Sequence, residues 1–277
     1  MSSYVTEINE QIQILDRLVR KAEKFLASAP EGTLYVSRSR NSFQYHVRKK
    51  GDRKNGSYLG KKEREMAGAL AQKDYCRRFI ECAAKVRSVL LNLEEKGLGQ
   101  SASVMYEALA SVYLGLPPGK RELVAPYVLP NEEFVAQWLS KPGSGPGFKD
   151  GTPEIYAERG ERVRSKSEKM IADKLFMLGI PYRYESTVML EDGSMVCPDF
   201  TILDAAERSE ILFEHFGLMS DQDYQNRTVS KMEIYARNGY VLGRNFLFTM
   251  ETADKPLDMR HFERIIRNRL DLGRNRT

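Results

Sequence analysis

One segment constrains the fold before any other. Residues 141–154, KPGSGPGFKDGTPE, place three Pro and four Gly in fourteen positions. Proline removes a backbone donor and glycine favours turns, so neither a helix nor a central strand is expected to run through it. The chain of 277 residues is expected to fall into two parts around it, 1–141 and 152–277, a division its length allows. An apolar content of 42%, with 12 Phe and 14 Tyr, supplies a core and excludes wholesale disorder.

The two parts read differently. Apolar residues at helical spacing from Ile8 to Phe25 predict an amphipathic helix over 6–28. Its near-heptad stripe is one that a homodimer could use. Leu34/Val36 and Phe43/Tyr45/Val47 alternate with polar residues between turn signals, which predicts two or three antiparallel strands. Helices are predicted over 61–93, 101–114 and 131–139. Beyond the Pro/Gly segment the order becomes helix (166–178), three strands, helix (220–238), strand and helix (258–270). The run EILFEHFG is nearly all apolar and should be the central strand, buried on both faces. The expected class is α/β: a mixed sheet flanked by helices, preceded by a mainly helical region with a small β-hairpin.

Charge is concentrated in one place. Residues 38–64 hold ten Lys/Arg against Asp52 and Glu63, a net +8 within a chain of net +5. Arg38, Arg40, Arg48, Lys49, Lys50, Arg53 and Lys54 alternate there with Tyr35, Phe43, Tyr45 and Tyr58. This is a candidate nucleic-acid contact, because cations hold phosphates while a strand ribbon lies along the duplex. A solvated hairpin rim is the other reading. No apolar run approaches the roughly 18 to 20 residues of a membrane span, so no membrane partner is expected. The first residues lack a basic stretch followed by an apolar one, so no signal peptide is expected. Cys76, Cys82 and Cys197 have no metal-ligand spacing, which points to a reduced, cytoplasmic protein. Three histidines without a Cys/His cluster argue against zinc.

Two acids stand where acids are costly. Asp199 follows Pro198 in the second strand, and Glu214 ends the apolar run Ile211-Leu212-Phe213. Carboxylates on adjacent core strands repel each other unless a cation lies between them, and hard oxygen donors suit Mg²⁺ or Mn²⁺. Glu168 lies on the preceding helix, where Ser165-x-x-Glu168 also reads as a capping box. Tyr224, Thr228, Lys231 and Tyr235 are spaced 4, 3 and 4 apart and share one helix face. His215 should point to the opposite face from Glu214 and reads as a core histidine, though its backbone carbonyl could ligate metal.

The ordered set of Glu168, Pro198-Asp199 and Glu214 on α-β-β-β-α-β order resembles the PD-(D/E)xK nuclease superfamily. The strings RSKSE (164–168), PDF (198–200) and FEHFG (213–217) carry the resemblance, which covers roughly residues 152–270. It implies a restriction-endonuclease-like core that hydrolyses phosphodiester bonds of DNA with Mg²⁺ or Mn²⁺. Asp199 and Glu214 become metal ligands and Glu168 the assisting acid. Where the family carries a lysine two residues after the glutamate, this chain has Phe216. Some members move that lysine to the following helix, and Lys231 is the candidate. The alternative is a non-cutting nucleic-acid-binding module of the same fold.

Overall fold

The computed structural model describes residues 3–40, 42–49, 51, 56–96, 102–141, 145–270 and 272. The chain is α/β and divides into two compact units, Met1–Phe134 and Val135–Thr277.

In the first unit, α1 (Ser3–Ala27) precedes a three-stranded antiparallel sheet of β1 (Thr33–Ser39), β2 (Ser42–Arg48) and β3 (Ser57–Leu59) in that order. There follow α2 (Arg64–Lys96), α3 (Ala102–Leu114), the short α4 (Pro118–Arg121) and α5 (Asn131–Leu139), which crosses the division. The stripe on α1 that could have served a dimer is covered within the unit. Ile8, Ile12 and Leu15 belong to one core with Leu70, Tyr75 and Phe79 of α2 and Met105 and Leu109 of α3. Alternation in the strands turns Leu34, Tyr45, Val47 and Leu59 toward that core. The sheet approaches α4 so closely that a Cβ at Gly119 would lie 2.6 Å from Val36 and 2.8 Å from Phe43. Only glycine fits there.

The second unit contains a two-stranded ribbon, β4 (Ile155–Tyr156) with β5 (Arg162–Val163), then α6 (Lys166–Met177). Next come β6 (Tyr182–Tyr184), a second ribbon of β7 (Val188–Met189) and β8 (Met195–Val196), then β9 (Phe200–Asp204) and β10 (Ser209–Phe216). Helix α7 (Gln222–Arg237), β11 (Phe246–Met250) and α8 (Met259–Arg269) complete it. The four-stranded sheet has the order β11-β10-β9-β6, with β10 parallel to β11 and antiparallel to β9. The apolar run is therefore central, and Ile211, Leu212 and Phe213 are fully buried. One face packs on α6 and α8 through Ile171, Leu175, Phe262 and Ile266. The other carries Leu212 and Phe246 with Tyr235 of α7.

Two stretches expected to be single strands are instead interrupted. Residues 181–190 and 194–204 each give one segment to the main sheet and one to the outer ribbon. The chain turns at Glu185, whose φ of 42° leaves the extended region. The division of the chain also falls before the Pro/Gly segment rather than within it. Trp138 is the reason: its indole Nε1 donates to Glu210 at 2.6 Å and its ring lies 4.1 Å from the Arg183 guanidinium. The segment itself is held to the second unit. Phe148 meets the guanidinium groups of Arg162 and Arg164 at 4.5 and 4.9 Å, and a Cβ at Gly145 would strike the Glu185 carbonyl at 2.5 Å. No helix among the described residues is long and apolar enough to cross a membrane.

Candidate active site

The antiparallel register of β9 and β10 ends at Phe200 opposite Phe213. One step further brings Asp199 opposite Glu214, and directly opposed side chains share a face, about 5 Å apart at Cβ. The Asp199 carboxylate also accepts the His215 backbone N–H at 2.7 Å. Glu214 is 2% exposed. Both acids face a cleft of about 150 Å³ lined with Phe216, Tyr224, Arg227, Thr228 and Lys231.

Helix α7 supplies the cation. Asp221 caps it by accepting the Tyr224 N–H at 2.7 Å, and the spacing of 4, 3 and 4 then aligns Tyr224, Thr228, Lys231 and Tyr235. Lys231 Nζ lies 2.6 Å from Glu214 Oε1, and the Tyr235 hydroxyl donates to the same oxygen at 2.5 Å. The expected juxtaposition of the helical lysine with the strand glutamate is thus present in the geometry. Phe216, two residues after Glu214, is an apolar core residue at 3% exposure and packs on Phe248.

The electrostatics follow from burial. Desolvation, then the neighbouring Glu214 charge, pushes the Asp199 carboxyl well above the usual aspartate range. Burial likewise raises Glu214, with Lys231 opposing it. Burial works against the Lys231 charge too, but the two acids outweigh it and hold the ammonium above its ordinary value. Lys231 thus faces two carboxylates. The donors fit a hard divalent ion: two carboxylates, with the His215 backbone at the cleft wall. Among the described residues no group of three or more His, Cys, Asp and Glu is placed to hold a metal. Mg²⁺ commonly takes only one or two carboxylates and fills its remaining positions with water and substrate phosphate.

The other predicted residues fall as follows. Glu168 is at the start of α6, where its N–H binds the Ser165 hydroxyl at 3.1 Å. Its carboxylate does not close the capping box; it accepts the Arg164 N–H at 2.9 Å and the Tyr184 hydroxyl at 2.6 Å. It does not line the cleft, but its charge reaches Asp199. The His215 ring points to the opposite sheet face, where Nδ1 meets the Thr249 hydroxyl at 2.9 Å and Nε2 stands 3.3 Å from Glu251. In the first unit Arg38, Arg40, Arg48 and Lys49 are all exposed. Arg48 and Lys49 share a cleft of about 540 Å³ with Lys73 and Arg77 of α2, whereas Arg38 and Arg40 do not line it. Lys50, Arg53 and Lys54 lie outside the described residues. Sequence reasoning missed Arg227, a second cation at the acidic cleft. Its position four residues before Lys231, on the same face, was the available signal.

No family model and no solved structure matches the chain. An uncharacterized protein of Methanocaldococcus jannaschii is 37% identical over 89 residues, 31% of this chain and 7% of that protein. The match thus spans a small fraction of the relative's length.

Proposed function

We propose that the second unit is a Mg²⁺- or Mn²⁺-dependent nuclease that hydrolyses phosphodiester bonds of DNA. The observation that carries this reading is the contact of Lys231 with Glu214 in a cleft shared with Asp199. Asp199 and Glu214 would hold the metal. When bound, it would polarise the phosphoryl group and lower the pKa of a coordinated water. Lys231 holds its proton throughout and presents an ammonium to charge developing at phosphorus. Tyr235 fixes the Glu214 carboxylate through Oε1 and so sets its orientation. Arg227 at the cleft offers a second positive group to the flanking phosphate. Glu168 assists through its charge. The free thiols of Cys76, Cys82 and Cys197 support a cytoplasmic setting.

A second reading is a non-cutting nucleic-acid-binding module. It is favoured by Glu168, whose carboxylate is engaged by Tyr184 and Arg164 rather than turned to the cleft. A cleavage assay on linear, circular and single-stranded DNA separates the two. Cutting with Mg²⁺ or Mn²⁺ that Asp199→Ala abolishes and EDTA stops is the expected result. Binding without cutting, unchanged by Asp199→Ala, would favour the module.

A further inference from the structure

The three-stranded sheet of the first unit buries one face and leaves the other open. The open face carries a row of rings, one from each strand. Tyr35 of β1 pairs with His46 of β2, and His46 with Tyr58 of β3. Their ring centroids are 6.5 and 5.5 Å apart, edge to face. Tyr35 and Tyr58 are 60% and 59% exposed, far more than folding requires of a residue able to join a core. The two tyrosines stand two strand spacings apart, about 9.5 Å. That separation lets each present its own ring to a ligand.

The same face runs into positive charge. Alternation puts Arg48 on the side of His46, two residues on, and Arg48 pairs across the sheet with Thr33. Thr33 and Arg48 are both walls of the cleft that also contains Lys49, Lys73 and Arg77. The Lys73 ammonium is committed to the Pro30 and Gly32 carbonyls at 2.6 and 3.3 Å, so it shapes the cleft wall. Arg48 and Arg77 remain as guanidinium groups able to grip phosphate in a bidentate manner.

Flat apolar rings on a face that ends in a cleft walled by guanidinium groups suit a ligand that alternates flat rings with anions. We propose that this face binds single-stranded DNA, with unpaired bases stacked on Tyr35 and Tyr58 and the backbone phosphates held by Arg48 and Arg77. A duplex offers phosphates but keeps its bases stacked on one another, so it cannot use the tyrosines. A protein partner of acidic character would answer the cations but has no need of two separated, exposed rings. That the strand is DNA rests on the nuclease reading; the stacking itself is independent of cleavage.

The test is fluorescence anisotropy of the full chain in EDTA, where cutting is stopped, with labelled dT12, rU12 and a 12-base-pair duplex. Tyr35→Ala and Tyr58→Ala are expected to weaken dT12 binding, by about five-fold to a hundred-fold for each ring removed. Tyr35→Phe and Tyr58→Phe keep the flat ring and should bind like the parent. Duplex binding should be insensitive to all four. Arg48→Glu should lower the slope of log affinity against log salt by about 0.7 on the single strand for each phosphate that the side chain no longer holds. Circular dichroism checks that each variant keeps its fold. Equal dT12 affinity for the parent and Tyr35→Ala/Tyr58→Ala would overturn the proposal, as would preferred binding of duplex or absence of dT12 binding. Stronger binding of rU12 than dT12 would overturn the assignment to DNA, whatever the cleavage assay finds.

Discussion

Replacing Lys231 with Met keeps most of the apolar stem and removes the charge that meets Glu214 Oε1. At 2.6 Å and an effective dielectric of about 20, the bare attraction is about 6 kcal/mol. Most of that is offset by desolvation. Breaking a fully buried pair costs about 3–5 kcal/mol and an exposed one about 0–1. Glu214 is 2% exposed at its side chain but Lys231 is 34% exposed, so solvent screens one partner. A loss of about 2–3 kcal/mol is the expectation, and Lys231→Met is not silent in folding. The loss depends on pH. With the ammonium gone, burial lifts the Glu214 carboxyl further above the usual glutamate range, so the folded state holds its proton more tightly than the unfolded chain. Stability then falls as pH rises through the window between the ordinary and the raised value, and recovers below it. Urea melts of parent, Lys231→Met, Glu214→Gln and the double variant, at pH 5 and 8, form the assay. Lys231→Met should be worse at pH 8 than at pH 5, and Glu214→Gln should remove most of its penalty. An equal, pH-independent loss with and without Glu214→Gln would refute the reasoning, because the two charges would then not be coupled.

Two further outcomes are expected. Asp199→Asn removes a carboxyl that burial and Glu214 hold well above its usual range. Without metal the parent therefore loses stability as pH rises through that window, and the variant should melt higher than the parent at pH 8 but not in acid. Added Mg²⁺ should stabilise the parent alone, and a melt in which both respond equally would argue against Asp199 as a ligand. Tyr184→Phe deletes the hydroxyl that donates to Glu168 and receives the Arg164 N–H at 3.0 Å, and should cost about 1–2 kcal/mol in a urea melt. A change below about 0.3 kcal/mol would show that Tyr184 does not hold Glu168 in place.

Much of the acidic cleft was legible because two periodicities intersect there. Period two fixed which face of β10 carries Glu214 and which carries His215. The 3.6-residue period gathered Tyr224, Thr228, Lys231 and Tyr235. The central place of β10 followed from Ile211-Leu212-Phe213, a run that only a central strand can bury. Less legible were features set by tertiary contact. Nothing local to Glu168 announces Tyr184, sixteen residues away, as the group that takes its carboxylate. Nothing in the Pro/Gly segment shows that Trp138, ahead of it, reaches Glu210. The basic stretch showed charge and alternation, yet its cleft depends on Lys73 and Arg77 of α2, which lie outside that stretch. The interruption of the strands at Glu185 was hidden too, because a left-handed glutamate has no compositional signal.

Placing the cation on α7 has a consequence for how the chain tolerates change. Were the lysine at position 216, one side chain would have to satisfy both the sheet interior and the Glu214 charge, and its replacement would damage packing and electrostatics together. Here the duties are divided. Phe216 answers to Phe248 and can be exchanged among apolar residues of similar volume without altering charge in the cleft. Lys231 answers to Glu214 and lies on a helix surface one-third open to water, where a longer or shorter cation can adjust. Lineages of such a chain can therefore repack their sheet and retune the charge of the cleft at separate positions. In a collection of diverged copies, variation at 216 should track the residue at 248, while variation at 231 should track the residues at 214 and 235.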